Sequence, residues 1–306
     1  MRRSAGFVIV LFAGWLLVPG NAARPDAGGR AVTTATRIAF DSGRDGDFEI
    51  YAMNADGGRQ RNLTRHPGFD LSPTWSPDAR KIAFVSDRKG NFEIYVMNGD
   101  GRGQRRLTRN AQTLDRLPAW SPDGSRIAFI RARGPCSTGS CKYNEIYVVN
   151  ADGSRPRKLT SNADDGEAAW SPDGRRIAFR RDQDGAGEIY LMNADGSGMR
   201  RLTRNPALDF APSWSPNGRT IAFTSDRDGN FDIYLMNADG SRQRNLTRST
   251  FDESDLAWSP TGRRIAFTST RRGAEEIYVM NADGSGQRNL TRHAGDDSGP
   301  DWSRAR

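Results

Sequence analysis

Apolar and polar positions alternate along the chain in short blocks that recur every 44 to 50 residues. Each unit contains Ile-Ala-Phe, then an acidic residue with Ile-Tyr, a polar Asn-Ala-Asp-Gly or Asn-Gly-Asp-Gly segment, Leu-Thr and a tryptophan. The Ile-Ala-Phe triplets begin at Ile38, Ile82, Ile127, Ile177, Ile221 and Ile265. Four strand-like pieces joined by Gly, Asn and Asp turns, repeated with this period, are typical of a β-propeller blade. The pattern therefore predicts an all-β propeller.

The unit that begins near Trp214 illustrates the predicted strands. Thr220–Ser225 combines an apolar run with β-branched residues, which suits a strand buried on both faces. Phe231–Met236 and the polar stretch Gln243–Thr247 predict the third and outer strands. We expect the tryptophan to lie near the axis and to pack against the adjacent sheet.

The two ends of the repeat region predict how the propeller closes. The chain enters the first unit at a second strand, Ile38, and ends at a first strand, Trp302. Pairing of Pro300–Trp302 with the strand at Ile38 would complete that unit and remove exposed strand edges. The sequence therefore predicts six blades within residues 37–306, with one blade shared between the termini.

The first residues differ from the repeats. Arg2 and Arg3 precede the apolar run Ala5–Val18 and a small-residue segment that ends at Ala22. This order predicts a secretory signal peptide over residues 1–22, with an uncleaved membrane anchor as the alternative. Residues 23–36 predict a short disordered lead-in. We expect a soluble mature chain in the periplasm or outside the cell.

Charge and cysteine usage refine this picture. The net charge is +8, but basic residues are spread through the repeats, so we favour a solvated surface over a nucleic-acid site. Cys136 and Cys141 lie in the insertion that lengthens one period to 50 residues. In an oxidising compartment they predict a local disulfide, with free thiols or a metal site as alternatives.

The units share a motif that runs from Pro-x-Trp-Ser-Pro-Asp-Gly through Ile-Ala-Phe, Glu-Ile-Tyr and Asn-Ala-Asp-Gly to Leu-Thr. This motif resembles the repeat of TolB-type propellers, which are related to WD-repeat proteins. Pro212–Pro216 and Asp226–Thr247 match it nearly throughout. The resemblance implies a periplasmic propeller that binds partner proteins. It covers the propeller alone, since we expect no room for the N-terminal α/β domain of TolB, and no G-x-S-x-G hydrolase motif occurs.

One acidic residue stands five positions before each tryptophan. The six are Asp70, Asp115, Asp165, Asp209, Glu253 and Asp297. We call them the ring acids, because the topology places them around the mouth of the channel. Such a ring would attract a cation or a basic peptide, and like-charge repulsion would raise the pKa of its members. The alternative is that each acid caps its own connection.

Further candidates share that face. Arginines that follow Leu-Thr are expected to pair with the ring acids or to contact an acidic partner: Arg65, Arg109, Arg204, Arg248 and Arg292. The insertion Arg131–Asn144 is expected to form an extra loop on this face and is the candidate for specificity, with a neutral insertion as the alternative. Asp226–Asn230 resembles half of a calcium loop, but we favour a hairpin turn.

Catalysis is poorly supported, since the chain has two histidines, His66 and His293. We therefore predict a monomeric, non-enzymatic scaffold that binds an envelope protein or peptide and needs no cofactor. A divalent cation such as calcium at the channel mouth is the alternative ligand. The rival functions are a metal-dependent lyase or hydrolase acting there on a saccharide or peptide, and a structural or sensory module.

Overall fold

The structure is a computed structural model that describes residues 36–137, 140–161, 164–183 and 185–304, without the side chains of 135–142 and 183. Throughout these residues the regular structure is β, in 24 strands, so the all-β prediction is confirmed. No helix in the described part of the chain has the length and apolar character to cross a bilayer. The predicted signal peptide 1–22 and residues 23–35 of the lead-in lie outside the described residues.

Each repeat contributes four antiparallel strands, which we name by their place in the sheet. The inner strands are β4 (Asp70–Trp75), β8 (Leu114–Trp120), β12 (Asp164–Trp170), β16 (Asp209–Trp214), β20 (Glu253–Trp258) and β24 (Asp297–Trp302). The second strands are β1 (Arg37–Ser42), β5 (Lys81–Ser86), β9 (Arg126–Ser137), β13 (Arg176–Gln183), β17 (Thr220–Ser225) and β21 (Arg264–Ser269). The third strands are β2 (Glu49–Asn54), β6 (Glu93–Asn98), β10 (Ser140–Asn150), β14 (Ala186–Asn193), β18 (Asp232–Asn237) and β22 (Glu276–Asn281). The outer strands are β3 (Arg61–Asn62), β7 (Arg105–Arg106), β11 (Arg157–Lys158), β15 (Arg200–Arg201), β19 (Arg244–Asn245) and β23 (Arg288–Asn289).

The core lies between neighbouring sheets. The Ile-Ala-Phe triplet of every second strand is fully buried, because both faces of the strand are covered. Trp214 is 2% exposed and packs with Ala169, Ala178 and Ile189 of the preceding sheet. The prediction that the tryptophan packs against the adjacent sheet is therefore confirmed.

The Asn-Ala-Asp-Gly turn joins each repeat to the one before it. Gly240 has φ +93, and a Cβ there would lie 2.8 Å from the carbonyl oxygen of Leu202, so only glycine fits. Equivalent glycine–leucine contacts recur as Gly57–Leu290, Gly101–Leu63, Gly153–Leu107, Gly196–Leu159 and Gly284–Leu246. Gly57 and Leu290 belong to the first and last repeats. These two repeats therefore meet in the same way as any consecutive pair.

The terminal strands also pair. β24 runs antiparallel to β1, with Ile38 opposite Trp302 and Ser42 opposite Asp297. Beyond the ladder, the Ser303 N–H donates to the Arg37 carbonyl at 2.8 Å. The last strand therefore forms the inner edge of the sheet that contains β1, β2 and β3, as the chain ends predicted.

The insertion is a strand extension and not the extra loop that we predicted. β9 and β10 continue as an antiparallel ladder to Ser137 and Ser140. A single parallel pairing between Asn144 and Asp164 then joins two repeats into one eight-stranded sheet. The backbones of Cys136 and Cys141 stand opposite each other in the ladder. Their side chains are outside the described ones, so the disulfide stays a prediction.

Candidate binding face

Every ring acid lies at the start of an inner strand and is fully buried. Each receives a salt bridge from an arginine near the end of the second strand of its own sheet. The nitrogen–oxygen distances are 2.6–2.8 Å in the pairs Asp70–Arg88, Asp115–Arg131, Asp165–Arg181, Asp209–Arg227 and Asp297–Arg44, and Glu253 pairs with Arg271. The ring acids therefore have partners inside the fold.

The partner arginines are held by aromatic rings. The guanidinium carbon of Arg227 lies 5.4 Å from the Phe223 ring centre and 4.6 Å from that of Tyr234. The same phenylalanine–arginine–tyrosine arrangement recurs in the other five repeats. Cation–π contact and hydrogen bonds to the carboxylate thus hold each arginine beside its ring acid, and Arg131 and Arg181 form two parallel N–H···O bonds to Asp115 and Asp165.

This geometry corrects two parts of the sequence-based hypothesis. Arg65, Arg109, Arg204, Arg248 and Arg292 are exposed, and no ion pair among the described residues joins them to the ring acids. The pKa values of Asp70, Asp115 and Glu253 are raised, but the main cause is burial and not repulsion between ring members. Direct ligand contact by the ring acids stays a prediction.

The acidic-Ile-Tyr motif forms a second set of buried carboxylates. Asp232 accepts hydrogen bonds from Thr247 Oγ1 and from the Ser249 N–H, each at 2.8 Å. Thr247 Oγ1 in turn accepts the Ile233 N–H at 3.0 Å. The acid and the threonine of Leu-Thr therefore brace the connection to the next inner strand, which explains why both recur in the sequence.

A bulge lies two residues after each ring acid. The residues there have φ between +31 and +61: Ser72, Leu117, Glu167, Ala211, Asp255 and Gly299. The inner-strand ladders lose register at the same place. Bulges commonly re-aim side chains at sites of function. The residue type at this position differs in every repeat, unlike the framework around it.

Asp255 is the least compensated of these bulge residues. It is 5% exposed, and its Oδ1 atom has no hydrogen-bond partner among the described residues. Burial raises its pKa well above the usual value, and repulsion from Glu275, Asp41 and Glu167 adds to the effect. The bulge position therefore holds a carboxylate with unmet capacity to accept hydrogen bonds.

Asp41 belongs to the same acidic group. Its two oxygens accept the Ser72 N–H at 3.1 Å and Ser298 Oγ at 2.8 Å. Burial raises the pKa of Asp41 to about 7. Asp41, Asp255 and Glu275 form what we call the inner acid cluster.

Basic groups face Glu167 from the fused sheet. Arg180 Nε lies 3.1 Å from Glu167 Oε2, and Arg180 also pairs with Asp182 at 3.2 Å. Arg116 donates to Asn144 Oδ1 at 3.2 Å. The residues around the bulges are therefore acidic near Asp255 and of mixed charge near Glu167.

Sequence reasoning missed the inner acid cluster, although a signal was present. Asp41 occupies the position held by Val85, Ile130, Arg180, Thr224 and Thr268 in the other repeats. Departures from the repeat, and not its recurring residues, mark this group.

The described residues contain no group of three or more His, Cys, Asp or Glu arranged to hold a metal ion. In the loop that resembles half of a calcium site, Asp228 accepts the Tyr234 hydroxyl, and the Gly229 N–H donates to the Asp226 carbonyl at 2.9 Å. This is the predicted hairpin turn. His293 Nδ1 accepts a hydrogen bond from the nearby Gly295 N–H.

Comparisons with known proteins agree with this architecture. The family model of the TolB beta propeller domain matches residues 32–143 and 103–254. TolB from Acinetobacter baumannii is 24% identical with a TM-score of 0.75, covering 87% of this chain and 66% of that one. A putative TolB from Agrobacterium tumefaciens is 24% identical with a TM-score of 0.70, covering 87% and 92%.

An oligogalacturonate lyase in complex with manganese is 18% identical with a TM-score of 0.61, covering 84% of this chain and 74% of that one. At these identities the likeness concerns the fold alone. The chain spans slightly less than two thirds of the length of the A. baumannii protein. A comparison with curated proteins finds no match.

Proposed function

The chain belongs to the TolB β-propeller domain family, and from that premise we propose a six-bladed closed ring that binds proteins or peptides and catalyses no reaction. Two contacts between the chain ends support closure, namely the pairing of β24 with β1 and the packing of Gly57 on Leu290. Six repeats with equivalent turn contacts support the count of six blades. Closure covers the edge of β1, which would otherwise be exposed and open to aggregation.

The proposed ligand is a basic segment of a partner protein, bound at the inner acid cluster. The observation that carries this proposal is the buried, unpartnered Oδ1 of Asp255 beside Asp41 and Glu275. A lysine or arginine side chain would supply both the missing hydrogen-bond donor and the compensating charge. Burial raises the pKa of Asp41 and Asp255, so a bound cation would favour their ionised form and take the place of the proton.

In this proposal the ring acids position the binding site and do not supply its main charge. Their arginine partners neutralise them, so the charge open to a ligand lies mainly on the inner acid cluster. The paired acids and arginines fix the starts of the inner strands and thereby place the bulges. A direct contact between ring acids and ligand remains a prediction, and substitution of the ring acids alone would distinguish it from binding at the inner acid cluster.

We further propose that the protein works outside the cytoplasm, as a monomer on a partner of the cell envelope. The basic and apolar order of residues 1–22 supports export. Within the propeller, framework residues are used for packing, and the varied bulge position is free to specify a partner. Binding therefore suits this fold better than a reaction that needs a nucleophile and a base.

Capture from the envelope fraction, read by mass spectrometry, tests the proposal. The mature protein is compared with an Asp41→Asn/Asp255→Asn variant and with an Asp56→Asn/Asp239→Asn control. The control loses the same charge from exposed turns at the outer edge. We expect a partner captured by the wild type and the control and lost by the Asp41/Asp255 variant. Equal capture by all three proteins would refute the site, and no capture by any would refute a stable protein partner.

A further inference from the structure

The positive charge of this protein is concentrated at the outer edge of the sheets. We define six rim segments of twelve residues, each running from the Asn-x-Asp-Gly turn through the outer strand to the residue after Leu-Thr. They are residues 54–65, 98–109, 150–161, 193–204, 237–248 and 281–292. Together they hold eighteen basic and six acidic side chains, a net charge of +12, whereas the whole chain carries +8. The remainder of the chain is therefore acidic, and the rim is strongly basic.

Most of this charge lies on exposed side chains without an ion pair, although some outer-strand arginines, such as Arg157, also donate to backbone carbonyls of the next turn. The first residue of each outer strand is an exposed arginine, such as Arg61, Arg157 and Arg244. Of the eighteen basic rim residues, the ion pairs among the described residues use Arg106, Lys158 and Arg201. The other fifteen basic rim residues have no salt-bridge partner among the described residues.

The acidic rim residues are occupied by their own turns. Asp239 Oδ1 accepts the Ser241 N–H at 2.9 Å and Ser241 Oγ at 2.7 Å. These hydrogen bonds lower the pKa of Asp239. The acids therefore shape the turn that packs on the previous repeat and only partly offset the arginines.

At one rim position, arginine adopts a left-handed backbone conformation that is unfavourable for residues other than glycine. Arg59, Arg155 and Arg242 have φ of +56, +52 and +56, in the left-handed region. The equivalent residues of the alternate repeats are Gly103, Gly198 and Gly286, with φ of +66, +64 and +66. Glycine meets this conformation without the steric penalty that other residues bear. Three repeats thus carry a long cation where the backbone favours glycine, which points to a use for the charge.

The type of cation narrows the ligand class. The chain has four lysines, Lys81, Lys89, Lys142 and Lys158, and Lys158 alone lies in a rim segment. The other seventeen basic rim residues are arginines. A guanidinium group binds carboxylate through two parallel hydrogen bonds, whereas an ammonium acts as a point charge. The rim is therefore suited to a ligand with many planar carboxylates.

We propose that the rim binds a linear, carboxylated polysaccharide that follows the outer edge of the sheets. Repeated arginine groups around a curved edge suit a flexible chain better than a flat bilayer. Large apolar side chains exposed in the described residues are Phe69 and Phe251, so the rim offers little to insert between lipids. The rim segments also contain no aromatic residue on which nucleic-acid bases could stack.

Polysaccharide binding by the rim can be tested with a variant in which three rim arginines are replaced by the glycine found at the same position in the alternate repeats. Arg59→Gly, Arg155→Gly and Arg242→Gly together reproduce the alternate repeats and remove three charges without backbone strain. The matched control is Arg175→Gln, Arg219→Gln and Arg263→Gln, which removes three exposed arginines from the turns between inner and second strands. The full chain of each is titrated with alginate at salt concentrations from about 50 to 200 mM.

We expect the wild type and the control to bind alginate alike, and the rim variant to bind at least about tenfold more weakly. Its plot of log affinity against log salt should be shallower by about two to three units, because three ion contacts are lost. Its melting temperature should be unchanged or higher, which excludes unfolding as the cause. Equal losses in both variants, no binding by the wild type, or tighter binding to phosphatidylglycerol vesicles than to alginate would overturn the proposal.

Discussion

Asp301 accepts the main-chain N–H of Trp75 at 2.5 Å, across the boundary between the last strand of the chain and the inner strand of the second repeat. Thr74, Ala119, Ala169, Ser213 and Ala257 hold the equivalent position in the other inner strands. Asp301 is fully buried, and burial raises its pKa well above the usual value. The terminal strand is therefore tied to the inner strand of the second repeat as well as to β1.

Removal of residues 298–306 tests the importance of that strand. The deletion exposes the edge of β1 and takes away both Asp301 and Trp302. We expect cooperative unfolding to be lost, because the first sheet then lacks its inner strand and its contact with β20. Thermal unfolding followed by circular dichroism checks this, and a melting curve like that of the full chain would contradict the terminal pairing.

Trp214→Ala should lower the free energy of unfolding by roughly 3–5 kcal/mol, as expected for truncation of a buried aromatic residue. The side chain is 2% exposed and fills the space between two sheets. Urea denaturation measures the change. A cost below about 1 kcal/mol would mean that this tryptophan contributes little to the core, and Phe251→Ala, at an exposed site, is the control.

Breaking one ring pair should be more costly than replacing both of its members. Arg227→Gln leaves Asp209 buried without its charge partner and should cost about 3–5 kcal/mol, and Asp209→Asn is the second single variant. The double variant Asp209→Asn/Arg227→Gln removes both charges and should recover part of that stability. A double-mutant cycle by denaturation gives the coupling. Additive single effects would show that the pair is not coupled as the geometry indicates.

Stability should fall as the pH rises from about 4 to 7, through the buried acids. The folded-state pKa of Asp41 is raised to about 7, above its unfolded value. Its contribution is therefore fully present below the unfolded pKa and is lost as the pH passes the folded pKa. For Asp41 the loss is on the order of 4 kcal/mol.

Asp41→Asn isolates that effect, because asparagine can still accept the Ser72 N–H while its amide faces Ser298. The variant should be more stable than the wild type at pH 8 and should show a flatter dependence on pH. Urea midpoints measured between pH 4 and 8 test both statements. Parallel curves for the two proteins would show that Asp41 titrates normally.

Calcium should leave the melting temperature unchanged, since every ring acid already has an arginine partner. A scan with and without excess calcium, and with the ion removed by chelator, measures this. A rise in melting temperature that disappears in Asp115→Asn would instead support a cation at the channel mouth.

The sequence predicted the framework well because the framework repeats. Strands, turns, buried tryptophans and the position of Asp209 all follow from period and alternation. The partner of Asp209 could not be predicted in this way, because Arg227 lies eighteen positions away in a polar hairpin whose residues we expected to be solvent-exposed. Asp255 escaped notice for the opposite reason, since it differs from its counterparts in the other repeats. The hairpin of β9 and β10 was mistaken for a loop because the residues near its tip lack alternation.

The contact between each turn glycine and the leucine of the previous repeat has a consequence for how such a chain can grow. Gly240 on Leu202 and Gly57 on Leu290 form equivalent interfaces, although one joins neighbours in sequence and the other joins the chain ends. A duplicated or deleted unit of about 44 residues would therefore find matching neighbours on both sides. The interface itself requires a glycine in the turn and a leucine in the repeat before it, and nothing in that contact depends on which repeats supply them.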